Sequence, residues 1–369
     1  MFFSLSPIFL FSIIDKDRTQ SNRPSEKLIE SANRHAEEFT NSRAIVFTAN
    51  PPSTHASVNA FATRTQGGDT RHAPRVSGFD YLDGLNAKLR AHTAAQQRAK
   101  LGPTAPSAPA GHSTVTPTPQ EVVAAVASGD GLRVVFQPQH DLRTGRIVSA
   151  EALVRWTHPQ HGEVSPSVLI PLVNQLGLGL LLFRLVQRQT VDMLLSLDQM
   201  GIQIPNAVNA CARTLCTPWL ADQLSDQMRS VGLPTRLLKL ELTEDVQPPC
   251  QLALSASLAA FRSKGFAVSL DDFGSGWATL ETLSSLPLDE MKIDAALVQG
   301  ISRSASECDT VKQIIDLADR LSLRLVAEGI EDEATASLLV ALGCRTGQGY
   351  LLSRPLEADV FFNKFCLSQ

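Results

Sequence analysis

The chain has 369 residues, 43% hydrophobic and 19% charged, with a formal net charge of −4. That balance gives no global basic field, so neither a nucleic-acid polymer nor an anionic membrane surface is the expected partner. The six cysteines, Cys211, Cys216, Cys250, Cys308, Cys344 and Cys366, form no C-x-x-C pair. They read as reduced thiols of a cytoplasmic protein rather than a disulfide frame or a zinc site.

The opening stretch, "MFFSLSPIFLFSII", is apolar but contains Pro7 and runs straight into "DKDR". It is shorter than the roughly 18 apolar residues of a spanning helix. It also lacks the positive leader of a secretory signal. The expectation is a soluble chain with no firm membrane segment, N-terminal membrane association being the alternative. Ser25 to Phe39 reads as a helix and "RAIVFTA" as a short strand, followed by a polar, aperiodic stretch rich in Gly, Pro, Ser and Thr. A second helix is expected over "YLDGLNAKLRAHTAAQQRAK", and then an extended linker over "LGPTAPSAPAGHSTVTPTP". Residues 1–117 are therefore expected to form a largely disordered N-terminal region without a packed core.

From Thr118 the texture changes, and residues 118–369 read as one domain. Short aliphatic runs alternate with helix-length segments. The runs are "LRVVFQP", "RIVSAEALV", "IPNAVNA", "LLKLEL", "FAVSL", "LDEMKI", "LRLVAE" and "GCRTGQG". Such alternation predicts parallel βαβ units, and this number of strands suits an α/β, TIM-like (β/α)8 barrel. The connection "HDLRTGR" between the first two runs is too short for a parallel crossover, so one strand is expected to be antiparallel. An open, doubly wound sheet is the alternative.

Barrel chemistry collects where strands hand over to the following loops. At those points the sequence offers Glu151, Asn209, Glu241 and Glu244, the adjacent Asp271 and Asp272, Lys292 and Asp294, Glu328 and Glu331, and Gln348. Each alone reads equally well as a solvated or capping residue. Together, Glu151, Glu241, Asp271, Asp272, Glu328 and Glu331 would crowd one barrel mouth, with Lys292 as the only cation among them. Two like charges about 4 Å apart at an effective dielectric of about 20 repel by about 4 kcal/mol. Divalent cations relieve that repulsion, and oxygen donors without imidazole favour Mg²⁺ or Mn²⁺ over Zn²⁺. A pair of such ions is suited to phosphodiester hydrolysis.

The ordered motifs "AEALVRW", "VNA", "LELTED", "DDFGSGWATL", "MKID", "VAEGIE" and "GQGYLLSRPL" resemble those of the EAL-domain cyclic di-GMP phosphodiesterases of bacteria. The likeness covers about residues 118–358 and does not extend to residues 1–117. It implies hydrolysis of cyclic di-GMP to linear pGpG with two Mg²⁺ or Mn²⁺ ions per site. By resemblance, Glu151, Asn209, Glu241 and Asp271 would hold one ion, and Asp271, Asp272 and Glu328 the other. Glu331 would be a further, water-bridged ligand, as would Gln348. Glu151, Lys292, Glu328 and Asp272 would carry catalysis, with Lys292 on the water or phosphate. Gln137, Leu153, Arg155 and Gln348 would contact substrate, and Glu244 would steady the loop after Asp272. A homodimer through the face near "DDFGSG" is also implied. The sequence departs from the family at Gln139 and His140, where aliphatic residues are usual, and at Asn174, Ala295 and Leu297. His158 and His161 read as loop structure rather than metal ligands. Two rival functions are an EAL domain kept as a cyclic di-GMP receptor or protein-interaction module, and a different metal-dependent barrel enzyme such as an enolising lyase.

Overall fold

The computed structural model describes residues 78–101 and 116–366, apart from 245, 246, 249 and 275–278. The elements expected within residues 1–77 and the linker after Leu101 lie outside the described residues. The second expected helix is present as α1, Gly78–Leu101. The next, α2 (Pro119–Ser128), begins at a reciprocal cap. Thr118 Oγ1 accepts from the Glu121 N–H, and the Glu121 carboxylate accepts from the Thr118 N–H at 2.6 Å.

The barrel then assembles in chain order. Strands β1 (Leu132–Asp141) and β2 (Ile147–His158) form the expected antiparallel hairpin. Asp141 closes its turn by accepting from the Thr144 N–H at 2.7 Å, with Gly145 at φ +71. Strands β4 (Asn206–Cys211), β5 (Leu238–Thr243), β6 (Ala267–Phe273), β7 (Glu290–Ile293), β8 (Arg324–Ala327) and β9 (Thr346–Gly347) follow in parallel from β2. Antiparallel pairing of β9 with β1 closes the ring, so β1 is the reversed strand and no open sheet remains. Two short strands escaped the sequence reading. These are β3 (Gly162–Val164), which lengthens the hairpin, and β10 (Leu356–Glu357), which adds to β1.

Strand alternation explains the character of the interior. In β5, Leu238, Leu240 and Leu242 are fully buried under the surrounding helices, while Lys239 and Glu241 face the other way, into the barrel. Register places Glu241 beside Asn209 and Ser269, and Gln137 opposite Glu151. The barrel lumen is therefore lined by polar residues in two successive layers, where branched apolar side chains are usual. Helix α1 packs against this unit through Leu85 and Leu89, both buried. It also caps the end of β6, Thr93 Oγ1 donating to Gly274 O at 2.6 Å.

Gly349 lets the chain after β9 pass against Ile330, where the Ile330 N–H donates to Gln348 O at 3.1 Å. A Cβ at residue 349 would lie 2.1 Å from Ile330 O. Gly349→Ala should therefore lower the free energy of unfolding by about 1–3 kcal/mol. Gly84→Ala, on α1 with nothing within 4 Å, should hold or raise it. A denaturant series on both variants reads the two signs, and equal effects would contradict the packing described.

Candidate active site

One ammonium group organises the barrel mouth. Lys292 Nζ on β7 lies 2.7 Å from Asp271 Oδ1, 2.7 Å from Glu328 Oε1, 3.0 Å from Glu151 Oε2 and 3.2 Å from Glu241 Oε2. The lysine side chain is 1% exposed. Glu151 is held from both sides, by the Asn209 amide donating to Oε1 at 2.7 Å and the Gln348 amide donating to Oε2 at 2.9 Å.

Two adjacent aspartates on a regular strand would point to opposite faces. Here β6 breaks its register with β7 between Leu270 and Phe273, and Asp272 sits at φ +50. That left-handed backbone costs energy for any residue with a Cβ. It lets both Asp271 and Asp272 share a site: ligand atoms of Asp271, Asp272 and Glu328 lie within 4.8 Å of one another, as do those of Glu151, Glu241 and Asp271. Asp271 belongs to both groups.

The charge imbalance is visible in the acidities. Burial first, then neighbouring carboxylates, push Glu241 up to about 8 and Asp271 up to about 7, against the pull of Lys292. Glu328 is raised well above the carboxylate range for the same reasons, and burial also raises Asp272. Glu151 moves the other way. Burial opposes its charge, but Lys292 and the hydrogen bonds from Gln348 and Asn209 prevail and lower it. Burial likewise opposes the charge on Lys292, yet Asp271, Glu151, Glu241 and Glu328 together raise it well above the ordinary lysine value.

The donor set fits divalent cations. Asn209 Oδ1 and Glu241 Oε1 are buried without a hydrogen-bond partner. Such orphaned acceptors are costly unless a cation or water meets them. Carboxylate and amide oxygens without imidazole suit magnesium or manganese chemistry.

A cleft of about 350 Å³ opens beside Glu151, Asn209 and Asp271, with Leu153, Arg155 and Asn174 in its walls. Gln137 is buried one strand away and donates to Ser353 O at 3.3 Å. Glu244 is buried just past β5, and the loop it was expected to steady includes residues 275–278, outside the described residues. Glu331 is not brought into either carboxylate group; it is exposed and accepts from the Gln299 amide at 3.1 Å.

A third group, Glu121, His158 and His161, also gathers possible ligand atoms. His158 Nδ1 accepts two backbone N–H groups, from Gln160 at 3.1 Å and His161 at 3.2 Å. The ring proton of a neutral His158 must then sit on Nε2, 3.5 Å from Glu121 Oε1. That nitrogen is a donor rather than a ligand, so the His158 imidazole organises the hairpin loop, with the His161 ring stacked on it at 4.3 Å. Sequence reasoning passed over two contacts. Asp294 accepts from the Gln96 amide of α1 at 2.6 Å, and Gln139 bonds Gln348. The polar departure at residue 139 was the signal for the second.

The fold and the site together define a closed α/β barrel whose mouth is lined by oxygen donors of a kind suited to divalent cations. Residues 120–355 match the EAL domain, and the chain belongs to that family. Among its relatives, NbdA of Pseudomonas aeruginosa, named as a cyclic di-GMP phosphodiesterase, is 36% identical over 228 residues, covering 62% of this chain and 29% of its own length. An uncharacterised protein of Mycobacterium tuberculosis is 35% identical over 232 residues, covering 62% and 37%. This chain spans less than half the length of these curated relatives. The phosphodiesterase MucR of Pseudomonas aeruginosa, solved with c-di-GMP, superposes with a TM-score of 0.61 at 30% identity, over 66% of this chain and 99% of that one. Among the described residues, no helix is long and apolar enough to cross a membrane.

The raised carboxyls set a pH dependence for the chelator-treated protein. Between the ordinary carboxylate range and about 8, the folded state holds protons on Glu241 and Asp271 that the unfolded chain has released. Stability must therefore fall as pH rises through that window. Melting curves from about pH 5 to about pH 8 should decline, and Glu241→Gln should flatten the decline. A melting temperature rising with pH in the chelated protein would contradict these acidities.

Proposed function

We propose that this chain is a metal-dependent phosphodiesterase that hydrolyses cyclic di-GMP to linear pGpG. The observation that carries this reading is the pair of carboxylate groups sharing Asp271 around Lys292. Support comes from family membership and from relatives named for that activity.

In this reading Glu151, Asn209, Glu241 and Asp271 hold one magnesium or manganese ion, and Asp271, Asp272 and Glu328 hold a second. When bound, the two ions supply an acidified water and neutralise charge on the phosphate. The chain's own residues do the rest. Lys292 keeps its proton, so it acts as a fixed positive donor to the water or a phosphate oxygen and not as a base. One of Asp272 and Glu328, whose carboxyl oxygens lie within 4.8 Å of each other, would accept the proton of the attacking water. Asn209 and Gln348 fix both oxygens of Glu151. Arg155 and Leu153 form the wall against which the dinucleotide lies, Arg155 facing a phosphate, with Gln137 near a ribose or base. Glu331 enters only through water, and Glu244 steadies the loop after β6. Residues 118–369 carry the catalytic machinery, with helix α1 of the preceding region packed against them. The substrate is a cytoplasmic messenger, so a cytoplasmic location goes with this reading, as does a homodimer through the face near "DDFGSG".

The full chain, incubated with cyclic di-GMP and Mg²⁺ or Mn²⁺, should yield pGpG on chromatographic separation. Asp271→Asn and Lys292→Met should each lower the rate by about 100-fold or more. Binding of cyclic di-GMP without cleavage would make the chain a receptor. Neither binding nor cleavage would overturn the assignment of substrate.

A further inference from the structure

Beneath the carboxylates lies the second polar layer, which the reaction above leaves unused. It comprises Gln139 on β1, Ser149 on β2, Lys239 on β5 and Glu290 on β7, none more than 7% exposed. Lys239 Nζ pairs with Glu290 Oε1, and Glu290 Oε2 accepts from Arg324 Nε at 3.3 Å. Burying an ion pair in a barrel lumen carries a desolvation cost that an apolar filling would avoid. The layer therefore invites a functional explanation.

Its hydrogen bonds have one possible direction. An ammonium group only donates. Lys239 Nζ donates to Gln139 Oε1 at 3.3 Å, and Ser149 Oγ donates to the same oxygen. With its carbonyl committed downward, the Gln139 amide must present its N–H upward, where it donates to Gln348 Oε1 at 3.0 Å. That in turn commits the Gln348 N–H groups to Gln137 Oε1 at 3.0 Å and Glu151 Oε2 at 2.9 Å. A flipped Gln348 would set its carbonyl against the Glu151 carboxylate, two acceptors in contact. The amide that meets the site is thus oriented from the layer below it.

We propose that Gln139, backed by the buried Lys239–Glu290 pair, is a positioning residue of the active site. It locks the Gln348 amide so that Gln348 donates to Glu151 and fixes that carboxylate for cation binding. The proposal rests on the phosphodiesterase reading in taking Glu151 as a cation ligand. Gln139 itself bonds Gln348, Ser149 and Lys239 and belongs to neither carboxylate group.

The test is a double-variant cycle read by Mn²⁺ binding calorimetry, with melting curves on every variant. Gln139→Met keeps the side-chain length and removes the hydrogen bonds. It should weaken Mn²⁺ binding by about tenfold or more, the usual scale for a group that orients a metal ligand. In a Gln348→Met background the same substitution should change Mn²⁺ binding no further, because its effect runs through Gln348. Gln139→Glu is the second variant. Its carboxylate still accepts from Lys239 and Ser149 but cannot donate to Gln348, so at about pH 8 it too should weaken Mn²⁺ binding while the protein stays folded. A purely structural role would lower melting temperatures and leave the Mn²⁺ affinity of the folded protein unchanged. Unchanged affinity in Gln139→Met or Gln139→Glu, or effects that add in the double variant, would overturn the proposal. A wild-type chain that binds no Mn²⁺ would overturn the phosphodiesterase reading and this proposal together.

Discussion

A single buried ammonium group, Lys292 Nζ, stands between 2.7 and 3.2 Å from four carboxylates. Most of the molecule's chemistry follows from that imbalance. One positive charge cannot neutralise Glu151, Glu241, Asp271 and Glu328 at once in a water-poor lumen. The protein by itself answers by retaining protons on the carboxyls least well supported, while Glu151, braced by two amides, ionises. A cation binding there competes with those protons, so cation affinity and acidity are two faces of one electrostatic balance. Lys292 is the part of that balance that does not leave. It keeps the ring from repelling itself apart when the cations are absent.

The fold serves this arrangement in three ways. The reversed β1 runs between β2 and β9, which brings Gln137 and Gln139 alongside Glu151 and Gln348. A wholly parallel barrel would need a crossover helix where a tight turn at Asp141–Arg146 suffices. The irregularity at Asp271 and Asp272 gathers two carboxylates at one strand end, at the cost of a left-handed aspartate. Helix α1, which precedes the EAL domain match, reaches both Gly274 and Asp294, so the backbone just after the aspartate pair is held from outside the barrel.

The strands and their order were largely legible because their cause is local. Aliphatic residues at every second position, ending in a carboxylate, identify a barrel strand in "LKLELTE" or "FAVSLDD" without any knowledge of neighbours. The reversed strand was legible from the length of one turn. The short strands β3 and β10 carry too few positions for a period to show, and the equally short β9 was legible only through the longer run that contains it. The conformation of Asp272 was not legible either, since its backbone is set by packing at the end of β6 and not by the identity of aspartate. The same holds for the relay from Lys239 to Gln348. Its members stand 100 or more residues apart, at 139, 239 and 348, and only closure of the barrel makes them neighbours. Glu331 is the opposite case: the sequence pattern sets it with the other carboxylates, and in the structure it lies exposed beside Gln299. Helix α1 was legible as a helix, but the burial of Leu85 and Leu89 and its polar contacts with the barrel are tertiary facts.

The proposed function rests on the two carboxylate groups around Lys292 holding one cation each and sharing Asp271. It is tested most directly by titrating the full chain with Mn²⁺ and following the bound ions by electron paramagnetic resonance. The account predicts two bound ions per chain with a spin-coupled signal, because Asp271 belongs to both carboxylate groups. A single isolated six-line spectrum at saturation, or two ions without coupling, would contradict it.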